Sequence, residues 1–290
     1  MKIYNLGSLN IDYVYRVDHF LQPGETYSAI DRNVFPGGKG LNQSVAAARA
    51  GAQVIHGAVV SSEGEFLVKV LSESGVDVSR LQRVDQPAGH TVIQVDRTGQ
   101  NCILLFSGTN QCLNRQYIEG FLADAQEGDI LLLQNEINCL DVAFEIAKDR
   151  HMQIAFNPSP IHESIRKLPL EAVTWWFCNE IEAQALFGSD DLKKIAQVFR
   201  SQYPDAKLIL TLGEHGSMFI SREGIYQQPI YKVNAVDTTA AGDTYTGYFL
   251  SAVVAGNTIA EALQIAAKAS AVAVSRPGAA VSIPYAAELK

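Results

Sequence analysis

The chain has 290 residues, of which 47% are hydrophobic and 19% charged, with a formal net charge of -8. That apolar share supports a large core in one or two domains, while the acidic balance and the lack of any Lys/Arg run argue against nucleic acid or an anionic membrane surface as partner. The cysteines Cys102, Cys112, Cys139 and Cys178 form no C-x-x-C pair, so neither a zinc site nor a disulfide framework is expected. The first residues lack the charged and apolar regions of a signal peptide, and no apolar run approaches membrane length, which predicts a cytoplasmic protein.

Ile3–Leu9 reads as the first strand, with Gly7-Ser8-Leu9-Asn10-Ile11-Asp12 at its end. Asn10 and Asp12 are thereby placed at a strand's carboxyl end, where open α/β sheets bind ligands. As neighbouring donor and acceptors they suit a polyol, although both residue types are also common turn formers. Tyr13–Phe20 with Thr26–Val34 reads as a short strand pair. Pro36-Gly37-Gly38-Lys39-Gly40-Leu41-Asn42-Gln43 then lets backbone approach a ligand closely before a helix over Gly40–Ala50. Its spacing fits neither Walker A nor G-x-G-x-x-G, and a flexible loop before a helix is the alternative.

Val54–Val60 is the next predicted strand and Glu63–Ser74 the next helix, stopped by Gly75. His90–Val95 and Asn101–Phe106, turned through Arg97-Thr98-Gly99-Gln100, form a second strand pair. The two pairs, spanning about 12–34 and 88–107, are expected to build a small β lid that excludes water from a reacting centre. Surface hairpins without a gating role are the alternative.

Beyond the lid, strands are expected over Ile130–Gln134, Gln153–Asn157, Thr174–Cys178 and Lys207–Leu212, alternating with helices over Cys139–Arg150 and Asp191–Gln202. Continuous apolar runs such as Ile130-Leu131-Leu132-Leu133 indicate parallel strands covered on both faces, hence an α/β fold. Glu136 follows one strand, as a ligand for a hydroxyl or a solvated acid. Asn179 and Glu182 follow another, one helical turn apart, and either hold hydrated Mg²⁺ or make an N-cap with a first-turn acid. Thr211-Leu212-Gly213-Glu214-His215-Gly216 offers a turn that could pass close to a nucleotide.

Val236-Asp237-Thr238-Thr239-Ala240-Ala241-Gly242-Asp243-Thr244 precedes helices over Ala241–Ala255 and Thr258–Ser275. Small residues at a helix start leave N–H groups open to a phosphate, and Asp243 beside them could take the proton of an attacking hydroxyl. A plain N-cap is the other reading. The histidines show no metal spacing and no serine sits in G-x-S-x-G, so metal-dependent and serine hydrolysis have no support.

Taken in this order, from Asn5 to about Pro284, the motifs resemble the ribokinase family of sugar and nucleoside kinases. Gly-Gly-Lys-Gly-x-Asn at 37–42, with Pro23-Gly24-Glu25-Thr26, is most similar to the ribokinase branch. The resemblance implies one domain over 1–290, with a three-layer α/β/α fold, a mostly parallel twisted sheet and a lid that often mediates dimerisation. It implies transfer of the γ-phosphate of ATP to the primary hydroxyl of a sugar, D-ribose first. Another pentose, a hexose or a nucleoside is the alternative, and a non-catalytic sugar-binding regulator stands behind those. Asp243 would be the base and the Ala240-Ala241-Gly242 backbone the anion hole. Asn10, Asp12, Gly38, Lys39, Gly40, Asn42 and Glu136 would bind sugar, and Asn179, Thr211, Gly213, Gly216 and Gly242 the nucleotide. Glu182 would hold Mg²⁺ through water. A K⁺ site would draw on Asp237, Thr239, Ala273, Arg276, Gly278 and Ser282, several through backbone carbonyls. Ala267 stands where the family tends to place His or Asn against adenine.

Overall fold

The computed structural model describes residues 1–289. Through the first half the chain runs β1 (Ile3–Leu6), β2 (Asn10–Arg16), β3 (Asp31–Gly37), α1 (Lys39–Arg49), β4 (Val54–Gly57), β5 (Val59–Val60), α2 (Glu65–Glu73), β6 (Gln82–Arg83), β7 (His90–Val95), β8 (Asn101–Phe106) and α3 (Arg115–Phe121). It continues as β9 (Ile130–Gln134), α4 (Leu140–Asp149), β10 (Gln153–Asn157), β11 (Val173–Asn179), α5 (Glu180–Phe187), α6 (Leu192–Gln202), β12 (Lys207–Thr211), β13 (Ser217–Ile220), β14 (Ile225–Gln228), α7 (Ala241–Val254) and α8 (Ile259–Val274).

Eight strands form the central sheet in the order β14-β13-β12-β11-β10-β9-β1-β4, parallel from β4 to β12 and antiparallel at the β13–β14 edge. Every side chain of Ile130–Leu133 is buried, as strands covered on both faces require. One face packs on α4, α5 and α6 through Phe144, Phe156, Trp176 and Phe199, the other on α1, α7 and α8 through Leu41, Phe177, Phe249 and Leu263. This is the three-layer α/β/α arrangement expected. Among the described residues no helix is long and apolar enough to cross a membrane.

The strands expected to form the lid make a separate four-stranded sheet, β3-β2-β7-β8, with β2 and β7 parallel and the outer pairs antiparallel. β7 and β8 span the residues expected from sequence, whereas the first pair lies at Asn10–Arg16 and Asp31–Gly37 instead of Tyr13–Phe20 and Thr26–Val34. β1 stops at Leu6, and β2 already starts at Asn10, so Asn10 and Asp12 belong to this second sheet and not to the first strand's end. The reason is a close crossing: a Cβ on Gly7 would lie 2.6 Å from the Gly40 Cα, and the Leu41 N–H donates to the Ser8 carbonyl at 3.0 Å. The start of α1 therefore occupies the space into which β1 would extend. Val54–Val60 likewise divides at Ala58, because Val59–Val60 leaves the main sheet to pair with Gln82–Arg83.

The α1–α7 crossing holds the two halves of the site together, and it depends on small residues. A Cβ added to Gly247 would lie 2.5 Å from the Ala46 Cβ, 2.6 Å from the Ala47 nitrogen and 2.8 Å from the Gln43 carbonyl oxygen. Gly247→Ala is therefore expected to destabilise the protein by about 1–3 kcal/mol through overpacking. Denaturant unfolding checks this, and an unmoved midpoint would mean that the helices separate freely.

Candidate active site

The start of α7 is built to leave donors free. Ala240, its N-cap, has φ 59° and ψ 11° and no side chain able to cap. Holding an alanine in this left-handed region costs about 1 kcal/mol. The turn directs the Ala241 N–H to the Thr238 carbonyl at 3.2 Å, and the first helical bond runs from the Thr244 N–H to the Ala240 carbonyl at 2.8 Å. The N–H groups of Ala240, Gly242 and Asp243 have no acceptor among the described residues. The Ala241 N–H, counted as part of the anion hole from sequence, is instead committed to the turn, and Asp243 supplies a free one. A Cβ on Gly242 would meet nothing within 4 Å, so this turn faces open space.

Asp243 stands in that first turn with both carboxylate oxygens occupied by α1. Asn42 Nδ2 donates to Oδ2 at 3.0 Å and Gln43 Nε2 donates to Oδ1 at 2.9 Å. Burial raises the Asp243 pKa, against the opposing pull of the Lys39 ammonium and of these two donors. Lys39 reaches across from the start of α1 to Glu136, with Nζ 3.2 Å from Oε1. Burial alone would lower the lysine pKa, but Glu136, Asp243 and Glu182 outweigh it and hold the ammonium firmly charged. Glu136 is fixed by the Lys39 N–H at 3.1 Å and by the Ser8 hydroxyl.

On the lid side, Asn110 Nδ2 donates to Asn10 Oδ1 at 2.7 Å, and Thr91 Oγ1 donates to Asp12 Oδ1 at 2.6 Å. Burial, with a smaller push from Glu136, moves the Asp12 pKa from its ordinary 3.8 up to about 6. An acid whose pKa is higher folded than unfolded binds more protons in the folded state between the two values. Stability contributed by Asp12 is therefore lost as pH rises from about 4 to about 6 and stays lost above. Asp12→Asn should flatten that slope and stabilise the ligand-free protein at neutral pH by about 3 kcal/mol. Thermal unfolding between pH 4 and 8 tests this; identical slopes in both proteins would remove Asp12 as the cause.

Two adjoining cavities meet at the start of α7. The smaller, about 200 Å³, is walled by Lys39, Asn179, Glu182, Thr211, Asp243 and the 240–242 turn. The larger, about 600 Å³, is lined by Gly213, Gly216, Tyr231, Val233, Ala267 and Ala271 among mostly apolar neighbours, as a planar base requires. Gly213 and Gly216 sit at φ 51° and 90°, and a Cβ on Gly216 would lie 2.2 Å from the Gln228 carbonyl oxygen. Asn179 and Glu182 form a complete capping box: Glu182 N–H to Asn179 Oδ1 at 2.8 Å and Asn179 N–H to Glu182 Oε2 at 2.9 Å. Glu182 Oε1 has no hydrogen-bond partner among the described residues, so the cap leaves an oxygen for a hydrated cation.

Beside the 240–242 turn, Asp237 accepts from the Thr239 N–H at 2.9 Å and the Gly278 N–H at 3.0 Å. Those donors outweigh burial and lower its pKa. This clasps the loop before α7 to the Arg276–Ser282 turn, and Ser282 Oγ donates to the Ala279 carbonyl at 2.8 Å. Arg276 turns its guanidinium to Glu288 at 2.7 Å. No cluster of three acids, histidines or cysteines that could hold a metal occurs among the described residues.

The sequence profile of the pfkB family carbohydrate kinases matches residues 2–286. The chain belongs to that family. The ribokinase of Haemophilus influenzae is 35% identical over 96% of this chain and 94% of its own length. A crystal structure of ribokinase from Thermotoga maritima superposes with a TM-score of 0.87 at 36% identity, covering all of this chain and 98% of that one. Arabidopsis thaliana ribokinase complexed with ribose and ATP superposes at 0.89 with 26% identity, over 99% and 97% of the two chains.

The kinase gathers most of the residues singled out from sequence. Lys39, Asn42, Glu136 and Asp243 form one connected group, Asn179, Glu182, Thr211 and Gly242 another across the small cavity, and Asp237 and Gly278 a third. Asn10, Asp12, Gly38 and Glu136 are not walls of the cavity that holds Asp243, and the Lys39 ion pair ties Glu136 to it. Gly40 is buried, its N–H donating to Ser8 Oγ at 3.2 Å and its carbonyl accepting from Asn5 Nδ2 at 2.8 Å. Its part is close packing, since a Cβ would lie 2.3 Å from the Ser8 nitrogen. Sequence reasoning missed Ser8, Gln43, Asn110 and Gln134. Gln43 sat inside a quoted motif, but nothing in its spacing shows that it faces the base.

Proposed function

We propose that this protein transfers the γ-phosphate of ATP to the primary hydroxyl of D-ribose, giving ribose 5-phosphate and ADP. The observation that carries the reading is the Asp243 carboxylate, held by two amides at the first turn of α7 beside N–H groups without acceptors. Kinship with ribokinases that span this whole chain supports ribose as the acceptor. Asp243 takes the hydroxyl proton as the oxygen attacks phosphorus, and the bond to the ADP oxygen breaks. The free N–H groups at 240–243 and Lys39 stabilise the negative charge that spreads over the transferring group. Asn10, Asp12, Asn42 and Glu136 orient the sugar hydroxyls, and the lid strands exclude water.

Mg²⁺, when bound, neutralises phosphate charge, and Glu182 is the residue that would hold it through water. A K⁺ ion would take the carbonyls of Thr239, Ala273, Arg276 and Gly278 with Asp237 and Ser282, beside the anion hole. The exposed apolar side chains of β8, Ile103, Leu104 and Phe106, support a homodimer through the lid. ATP as donor supports a cytoplasmic setting. ADP formation with Mg·ATP tests the reading across ribose, deoxyribose, other pentoses, hexoses and nucleosides, with K⁺ present or replaced by an inert cation. Turnover on ribose, stimulated by K⁺, is expected; faster turnover on another acceptor would replace ribose.

A further inference from the structure

Successive residues on a helix point roughly 100° apart, yet Asn42 and Gln43 of α1 both donate to Asp243. Asn42, one of the residues assigned to the sugar, is buried, and Gln43 is fully so. We propose that Gln43 is a positioning residue for the base, held with its N–H group towards Asp243 by a buried chain of amides whose polarity is set by backbone carbonyls. The inference rests on Asp243 acting as the base.

A glutamine amide can rotate by half a turn, exchanging donor for acceptor, and an oxygen turned towards Asp243 would repel the carboxylate. The structure forbids that rotation step by step. The Gly40 carbonyl can only accept, so Asn5 must present its Nδ2, at 2.8 Å, with a second bond to Ser44 Oγ at 2.8 Å. Asn5 Oδ1 then faces Gln134, whose Nε2 donates to it at 3.1 Å and to Gln43 Oε1 at 2.7 Å. With its oxygen so engaged, Gln43 has only N–H to offer Asp243. A second anchor agrees: the Phe177 carbonyl accepts from Asn157 Nδ2 at 2.8 Å, which turns Asn157 Oδ1 to Gln43 Nε2 at 3.3 Å.

Asn5, Gln43 and Gln134 are all fully buried, so water does not compete for these bonds. Room for the chain is made at Gly7, where a Cβ would lie 2.4 Å from Gln134 Oε1. The charged groups turned to the base are Lys39 of α1, which favours its ionised form, and Glu136 of the loop after β9, which opposes it. Glu182 of α5 lies on the wall of the same cavity. At the far end of the amide chain Ser44 meets His56, whose pKa burial pushes down to about 3, leaving it uncharged.

The test is the pH profile of kcat on ribose, with KM and thermal stability measured alongside, for Gln43→Met and for Gln134→Met. The second variant leaves the contact with Asp243 in place but frees Gln43 to rotate. Loss of a donor to a charged group should move the acidic limb up by about one pH unit in Gln43→Met. The same limb should move in the same direction, by less, in Gln134→Met, with the KM for ribose little changed in both. Acidic limbs superimposable on that of the unmodified enzyme, whatever the change in stability or overall rate, would reduce Gln43 to core packing. Asp243→Asn run in parallel separates the two readings. Full turnover there removes the base itself, whereas lost turnover there with an unmoved limb in Gln43→Met removes only the role of Gln43.

Discussion

Asp243→Asn is expected to lower kcat by roughly two to four orders of magnitude, the usual range for a lost general base, while ribose affinity stays within a few-fold. The substitution is nearly isosteric and keeps one oxygen to accept from Asn42 or Gln43. It removes only the charge and the basic lone pair. The free N–H groups at the start of α7 remain, so residual turnover by anion stabilisation should persist and ATP binding should survive. The diagnostic is therefore a split: kcat collapses, with the KM values little moved. Equal losses in kcat and in sugar affinity would assign Asp243 to binding, and unimpaired kcat would move the base elsewhere.

Lys39→Met should act on both stability and rate. Lys39 stands between Glu136, Asp243 and Glu182 and opposes three negative charges. The Glu136 side chain is only 10% exposed, so truncating its partner strands a largely buried carboxylate. Removing one member of a fully buried pair costs about 3–5 kcal/mol. Lys39 is itself 31% exposed, and solvent screening brings the expected loss nearer 2 kcal/mol. Turnover should fall by at least about 100-fold, since the same ammonium lines the cavity where phosphate charge develops. The double variant Lys39→Met/Glu136→Gln checks the cause. It should be less destabilised than Lys39→Met alone, because the stranded charge has gone too. Strictly additive losses would show that the two side chains act independently.

What could be read from the sequence follows periodicity and backbone chemistry. The central parallel strands were legible because each is a short, continuous apolar run, and α1, α7 and α8 because small and apolar residues mark their buried faces. The antiparallel edge, β13 and β14, was not recognised, since Ile225–Gln228 is short, exposed and half polar. The eight-residue α5 was seen only as its first turn, because its apolar residues follow no clear helical stripe. At the site, the glycines and Asp243 announced themselves through turn and anion-hole chemistry. Gln43 and Gln134 did not, because amides in the interior look like any others until the fold shows what faces them.

The two donors that hold the Asp243 carboxylate come from 201 and 200 residues earlier in the chain. They meet it only where α1 crosses α7 at Gly247. During synthesis, Lys39, Asn42 and Gln43 emerge long before the acid they serve. A nascent chain lacking its last two helices could carry much of the lid and sheet and still have no base. Contacts of such sequence separation form late and at high entropic cost. Recovery of enzymatic activity on refolding is thus a readout of the final docking of the C-terminal helices, whereas recovery of secondary structure reports only what precedes it.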